Sequence, residues 1–151
     1  MTATIRIQAE GFDAAAETAA LTRGRADTGA VVAFTGFCRD EGGRLAALEL
    51  EHYPGMAEAE IARIAQEAER RWPLLGLTVI HRVGKIRPGE GIVLVLAASA
   101  HRRAAFEAAE FLMDYLKTRA PFWKREHLRD GTTGGWVEAK SQDEEATGRW
   151  G

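Results

Sequence analysis

The chain has 151 residues, of which 46% are hydrophobic and 28% are charged, and its formal net charge at pH 7 is −2. This composition excludes intrinsic disorder as the main state, and the length predicts a single domain over residues 1–151 with a substantial core. The slightly negative total charge disfavours a protein that attracts nucleic acid through its overall field. Any function that depends on positive charge must therefore come from local clusters.

The sequence contains one cysteine, Cys38, which excludes an internal disulfide and a zinc site made of several cysteines. The four histidines do not have the spacing of a metal-binding motif, so we predict neither a metal nor a cofactor. Residues 1–7 lack the pattern of a secretory signal, and the apolar run at residues 29–38 is far shorter than the roughly 20 residues that cross a bilayer. We therefore expect a cytoplasmic protein without a membrane contact.

Strand-like and helix-like patterns alternate along the chain. Runs of β-branched or alternating apolar residues predict strands at residues 4–8, 29–38, 48–52, 77–83, 92–98 and 136–139. Helical patterns predict helices at residues 12–23, 54–72, 101–119 and 142–150. Because several strands follow one another directly, we expect antiparallel hairpins, which favours an α+β fold over a doubly wound parallel sheet.

Individual residues refine these elements. Asp13 is placed to cap the first helix, and Pro54 suits the first turn of the second helix. Gly36 marks a bulge, or a close approach of two backbones, within its strand. Four residues at helical spacing predict the buried stripe of the third helix: Phe106, Ala109, Met113 and Leu116.

A first group of basic residues stands at the start of the third helix, in Ser99-Ala-His101-Arg102-Arg103. The free N–H groups and the dipole of a helix start favour an anion, and cations are unfavourable there without a ligand. We therefore interpret His101 and Arg102 as donors to an anion. The alternative is that these side chains belong to a solvated first turn.

A second group of basic residues follows the end of the same helix, from Lys117 to Arg125. Cations at a helix C-terminus complement its dipole, which by itself explains Lys117. Beyond Pro121, however, we predict a short extended stretch on which aromatic and basic residues follow each other, Phe122-Trp123-Lys124-Arg125. This pattern suits a flat heterocycle that carries a phosphate, and a partly buried lysine among cations can act as a base. The alternative is an aromatic core residue flanked by solvated charges.

The remaining candidates are weaker. Arg39 is a third cation at a strand end, and Cys38 stands beside it. A lone cysteine in an apolar strand is usually a small core residue, so catalysis by Cys38 is the weaker interpretation. Glu49 and Glu51 are interpreted as outward charges on a strand, and residues 131–135 as a flexible turn, because they lack the ending of a phosphate loop.

Motifs spread along nearly the whole chain are typical of one protein family. They occur in the right order: Phe34-Thr-Gly36 with Arg39, Leu50-Glu-His-Tyr-Pro-Gly-Met56, Arg71-Trp-Pro-Leu74, Val79-Ile-His-Arg-Val-Gly84, Ser99-Ala-His-Arg102, residues 111–126, Trp136-Val-Glu-Ala139 and Arg149-Trp150. The most specific of them contains the run Leu-Lys-Thr-Arg-Ala-Pro-Phe-Trp-Lys. By these motifs the sequence resembles the large, catalytic subunit of molybdopterin synthase over nearly its whole length.

The resemblance implies an α/β-hammerhead-like fold with a mixed, largely antiparallel sheet. It also implies a sulfurtransferase of molybdenum cofactor biosynthesis, which forms a dithiolene on cyclic pyranopterin monophosphate. The sulfur would come from the C-terminal Gly-Gly thiocarboxylate of a small ubiquitin-like partner subunit. Two copies of the chain would form the central homodimer of a heterotetramer.

By the same resemblance, nine residues occupy substrate-binding positions: Phe37, Cys38, Arg39, His101, Arg102, Lys117, Lys124, Arg125 and Glu126. Many relatives have a basic residue in place of Phe37, so the resemblance supports a role for its backbone rather than its side chain. We expect Lys117 to perform acid/base chemistry and Lys124 to hold substrate or intermediate charge. The guanidinium groups of Arg39 and Arg102 match phosphate geometry.

Two further expectations follow from these assignments. The basic groups before and after the third helix need not face each other within one chain, and a site shared across the homodimer would reconcile them. Since the partner brings its own activated sulfur, no cysteine of this chain is required for transfer. The competing interpretation is a non-catalytic module that binds a phosphate ligand or a partner through the same basic pocket, and a thiol enzyme that depends on Cys38 is a third.

Overall fold

The structure, a computed structural model, describes residues 3–137 together with Gly148 and Trp150. The helices and strands in this part of the chain are β1 (Thr4–Gln8), α1 (Ala14–Thr22), β2 (Ala30–Phe37), β3 (Leu45–His52), α2 (Met56–Arg71), β4 (Leu74–Arg82), β5 (Gly84–Ile86), β6 (Gly91–Ser99), α3 (Arg102–Thr118) and β7 (Phe122–Leu128). Most of the predicted helix at residues 142–150 lies outside the described residues. Of the predicted strand at 136–139, Val137 forms an isolated bridge with Lys124, and residues 138–139 are not described.

The described strands form two sheets. The larger sheet has the order β1-β4-β6-β2, in which β1 is parallel to β4 and the other pairs are antiparallel. The smaller sheet has the order β5-β3-β7 and is antiparallel throughout. The α+β class with mixed, largely antiparallel sheets is therefore confirmed.

The pairing of strands differs from the hairpins that the sequence predicts. β2 and β3 follow one another in the chain, but β2 pairs with β6 in the larger sheet and β3 pairs with β5 and β7 in the smaller one. The short strand β5 is missing from the prediction. It begins at Gly84, whose φ of 83° turns the chain out of β4 into the second sheet, and glycine adopts this conformation without steric cost.

The core lies on both faces of the larger sheet, because adjacent residues of a strand point to opposite sides. Val79 and Val95 pack with Phe111 against α2 and α3. Ile80 and Leu94 point the other way, toward residues of α1 and the segment before it. The two central strands β4 and β6 are consequently buried on both faces.

The predicted ends of the helices are largely confirmed. The Asp13 carboxylate accepts a hydrogen bond from the Ala16 N–H at 3.1 Å, as expected for a cap. The second helix begins at Met56 instead of Pro54, because Gly55, with a φ of 86°, is its N-cap and donates its N–H to the Glu58 carboxylate at 2.8 Å.

The predicted bulge in strand β2 also occurs, as a register shift between Gly36 and Phe37.

The predicted apolar stripe of α3 is wrong at Phe106, whose surface is 60% exposed. Ala104 and Ala108, two positions before and after it, are buried. At 100° per residue, a position two residues away points to nearly the opposite side of a helix, so these alanines direct Phe106 outward. None of the described helices is both long enough and apolar enough to cross a membrane.

Candidate active site

The strand β7 divides the predicted site residues between its two faces. Lys124 pairs with Leu50 and Glu126 with Leu48 of β3, and these two leucines pack in the cluster that contains Cys38. We call this side of β7, with Phe122, Lys124 and Glu126, the inner face. The intervening residues Trp123, Arg125 and His127 form the outer face.

On the outer face, Arg125 is held by other side chains of the small sheet. The Glu49 carboxylate accepts a hydrogen bond from Arg125 Nε at 3.0 Å, and the same oxygen lies 2.8 Å from His127 Nε2. The guanidinium carbon of Arg125 lies 4.4 Å from the centre of the Trp136 ring. The hydrogen bonds from His127 and Arg125 lower the pKa of Glu49. Glu49 therefore lies on the outward side of its strand, as interpreted, and is paired there with Arg125 and His127. Arg125 does not join Lys124 and Glu126.

On the inner face, an aromatic stack connects β7 to the larger sheet. The rings of Phe122 and His81 stack with their centroids 3.9 Å apart and their planes at 13°. His52 of β3 is paired with Phe122, and the centroids of their two rings are 6.2 Å apart. Burial lowers the pKa of His81 to about 4, and the charge of nearby Lys117 acts in the same direction. His81 is therefore neutral at neutral pH.

Lys117 occupies the last turn of α3, and its side chain is exposed in this chain. The partial burial expected for Lys117 is therefore wrong for the isolated chain. Lys117 nevertheless lies near the stack of His81 and Phe122, because the preceding Leu116 packs in the same cluster as Phe122. From Phe122, the inner face continues along β7 to Lys124 and Glu126. Lys117, Lys124 and Glu126 thus border one region of the surface.

The end of β2 reaches the same region. Cys38 is only 3% exposed; its N–H donates to the Glu90 carbonyl at 2.9 Å and its carbonyl accepts from the Gly89 N–H at 2.7 Å. Burial raises the pKa of the Cys38 thiol, and the charge of Glu126 on the inner face contributes to this shift.

The two neighbours of Cys38 point into open space. The side chain of Arg39 is 82% exposed and lies 3.8 Å from Glu41, and Phe37 is also exposed. The segment Phe37–Arg39 therefore presents one exposed cation beside the inner face, anchored through the buried Cys38.

His101 and Arg102 lie at the other end of α3. The N-cap His101 makes no capping side-chain bond, and the first turn contains no acidic residue. The N–H of His101 donates to the buried Ser99 hydroxyl at 3.3 Å, while both basic side chains are exposed. The 15 residues from Arg102 to Lys117 correspond to about 22 Å at 1.5 Å per residue. One chain therefore does not bring the two ends of α3 into one pocket.

Sequence reasoning considered His81 and His52 only as metal ligands and missed them as neighbours of the site. A usable signal was present, because His81 occupies a position within the continuous apolar run of β4, where a polar side chain requires an explanation. Within the described residues, no group of three or more His, Cys, Asp or Glu side chains could hold a metal ion.

Comparison with known proteins identifies the family. The family model described as MoaE protein matches residues 7–119. The chain belongs to the MoaE family. It is 76% identical over 147 residues to the molybdopterin synthase catalytic subunit of Mesorhizobium japonicum, an alignment that covers 97% of this chain and 92% of that relative.

Solved structures of MoaE relatives share the fold. The molybdopterin biosynthesis MoaE protein from Burkholderia ambifaria is 49% identical, with a TM-score of 0.85 and coverage of 99% of this chain and 98% of the other. Molybdopterin synthase from Staphylococcus aureus is 32% identical, with a TM-score of 0.75 and coverage of 85% and 95%. The family resemblance seen in the sequence motifs is therefore confirmed.

Proposed function

We propose that this MoaE-family chain is the catalytic subunit of a molybdopterin synthase. It transfers sulfur from the C-terminal thiocarboxylate of a small ubiquitin-like subunit to cyclic pyranopterin monophosphate and so forms the dithiolene. The observation that carries this proposal is the 76% identity, over 97% of the chain, to a relative with that name. The relative is named a catalytic subunit, and such a name implies at least one further subunit in its enzyme. This supports the small partner subunit of the proposal. A cytoplasmic location stays a prediction.

The groups that this chemistry needs lie on the inner face of β7 and beside it. The exposed amine of Lys117 can move a proton at the reacting carbon or its leaving oxygen. Lys124 is two residues from the aromatic stack and holds developing negative charge, and Arg39 binds the cyclic phosphate. Cys38 supports Arg39 rather than the chemistry, because its thiol is buried with a raised pKa and both of its backbone groups are bonded.

His101 and Arg102 complete the site from a second copy of the chain. A two-fold arrangement with antiparallel α3 helices sets the start of one helix beside the end of the other. The exposed side chains of Phe106 on α3 and Phe34 on β2 offer apolar surface for such a pairing. Strand β2 is an edge of the larger sheet and carries no charged residue. The phosphate site would then combine Arg39 and Lys117 of one copy with Arg102 of the other.

Reconstitution tests the activity directly. The purified chain, the thiocarboxylated small subunit and the cyclic precursor should together yield a dithiolene product. Binding of both ligands without any product would instead favour the non-catalytic binding module. The control omits the thiocarboxylate and uses the small subunit with an ordinary C-terminal carboxylate.

Complementation tests whether the site is shared. Arg102→Ala and Lys117→Ala chains, each with strongly reduced activity alone, are mixed and allowed to exchange subunits. In a shared site, the hybrid dimer contains one site with both native residues and regains activity. If Arg102 and Lys117 acted within one chain, every site of the hybrid would lack one of them, and mixing would restore nothing.

A further inference from the structure

His81 lies beneath the end of α3 that carries Lys117. In the register of the larger sheet His81 pairs with Val93, and directly paired side chains of an antiparallel sheet point to the same face. Val93 packs in the cluster that contains Leu116 and Ala120. The His81 ring therefore faces the last turn of α3 and the connection that leads to β7.

Two contacts determine the orientation and the proton position of this ring. Phe122 stacks on it at 3.9 Å, and Nδ1 lies 2.9 Å from the backbone oxygen of Arg82. A carbonyl oxygen only accepts hydrogen bonds, so in the neutral ring Nδ1 carries the proton and Nε2 presents a lone pair. Nε2 has no hydrogen-bond partner among the described residues. The atom is not fully sealed by its neighbours and keeps access to solvent.

Few charged groups act on His81. They are Lys117 of α3 and His52 of β3, and His52 itself lies 3.8 Å from the Glu58 carboxylate. The side chain of the adjacent Arg82 turns away to the Ala9 carbonyl. Within the described part of the chain, Lys117 makes no hydrogen bond or ion pair. Lys117 is thus a cation that acts on the ring and whose amine is available to donate a hydrogen bond to it.

We propose that His81 is a positioning residue for Lys117: in a lysine rotamer that points toward the ring, unlike the one in the structure, the amine donates a hydrogen bond to His81 Nε2 and is held beside the inner face of β7. This inference rests on the proposed function, since it explains how Lys117 is oriented for proton transfer. A neutral imidazole accepts this bond without adding a second positive charge, whereas an imidazolium has no acceptor. Burial of the ring keeps it in the neutral form.

Three variants separate the acceptor from the packing. In His81→Gln the amide can offer an acceptor near the position of Nε2, His81→Asn keeps only a donor near Nδ1, and His81→Phe keeps only the stacking. We expect kcat to fall at least about tenfold in the Asn and Phe variants, with little change in KM, because a charge-assisted hydrogen bond is worth about that factor. The Gln variant should stay within about threefold of the native chain.

Labelling of lysine amines gives a readout that is independent of sulfur transfer. Acetic anhydride is applied to the purified chain, and labelling of Lys117 is measured by peptide mass spectrometry relative to Lys85, an exposed lysine of β5. The ratio should change at least about threefold in His81→Asn and His81→Phe, and not in His81→Gln, because only the Gln variant retains the acceptor.

The outcomes distinguish the inference from the proposed function. Equal losses in the Gln and Asn variants, or an unchanged labelling ratio in a folded His81→Phe protein, would overturn the role of His81. If the Phe variant does not fold, the comparison of Gln with Asn decides. A labelling ratio that responds as expected in a chain that forms no dithiolene supports the contact between His81 and Lys117 and refutes the proposed function alone.

Discussion

The two faces of β7 place basic residues that are adjacent in sequence in different environments. On the outer face, Arg125 is bonded to Glu49 and covered by the Trp136 ring. On the inner face, Lys124 is two residues from Phe122, whose ring stacks on His81. The charge of the exposed Lys117 acts on that histidine. The difference shows that residues of one sequence motif need not share one role, because a strand sends neighbouring side chains to opposite sides. We assign chemistry to the inner face and stability to the outer face.

The largest effect is expected at Lys117, beside the inner face. Lys117→Ala should reduce turnover by about 10²- to 10⁴-fold, the usual contribution of a proton-transferring group, while the complex with the small subunit still forms. Lys117→Arg should also fail, because guanidinium stays protonated and cannot act as a base. Product formation and size-exclusion chromatography test both. Near-native turnover of Lys117→Arg would show that Lys117 supplies only positive charge.

Acid should destabilise the chain through His81. The unfolded histidine binds a proton below its ordinary pKa of 6.5, whereas the folded ring resists protonation down to about 4. The contribution of neutral His81 to the free energy of unfolding is therefore fully present above about pH 6.5. It falls by about 3 kcal/mol as the pH drops to 4. Urea unfolding at pH 7, 5.5 and 4 measures this loss. His81→Gln should remove this loss of stability, whereas the control substitution at the exposed His101, His101→Gln, should leave it in place. If the stability of His81→Gln falls with pH as steeply as that of the native chain, His81 is not the source of the loss.

The cations around the inner face should affect ligand binding rather than assembly. Arg39→Ala and Arg102→Ala should each weaken binding of the cyclic precursor by roughly 1.5–3 kcal/mol, the contribution of a charge-assisted hydrogen bond to phosphate. Titration calorimetry with the precursor and with the small subunit measures the two affinities separately. If the small subunit dissociates while the precursor binds normally, these arginines belong to the protein interface.

A substitution on the outer face should change the free energy of unfolding and leave turnover unchanged. Glu49→Gln should cost about 1 kcal/mol or less at neutral pH, as is usual for partly exposed ion pairs. Since the folded pKa of Glu49 lies below its ordinary 4.5, this stabilisation is present above pH 4.5 and is lost as the pH falls through the lowered pKa. Denaturation curves of both proteins at pH 7 and pH 3 test this. A fall in turnover would show that substrate binding needs Arg125 held by Glu49.

The smallest effect on activity is expected at Cys38. Because the sulfur arrives with the partner, Cys38→Ser should change turnover by no more than about twofold, with a packing loss of roughly 1 kcal/mol from the buried hydroxyl. Assay of the folded variant with the thiocarboxylated subunit measures this. Complete inactivity of a folded Cys38→Ser protein would contradict transfer of sulfur from the partner.

Much of the local structure follows from the sequence alone, whereas the choice of site residues stays a prediction. The cap at Asp13 and the bulge at Gly36 depend on neighbouring residues, so local patterns predict them. The exception at Phe106 has the same local origin, since the neighbouring alanines rather than the aromatic ring define the buried side of α3. The motifs also identify the MoaE family.

Only the tertiary structure decides which of these residues meet. The pairing of β2 with β6 and of β3 with β7 joins segments that are far apart in the chain, and the periodicity of one segment contains no information about its partner. That pairing brings His81 against Phe122, places Cys38 near Glu126 and turns Arg125 toward Glu49. The sequence by itself determined which cations this protein has and where most of its helices and strands lie, whereas long-range strand pairing decided which residues lie next to one another across the sheets.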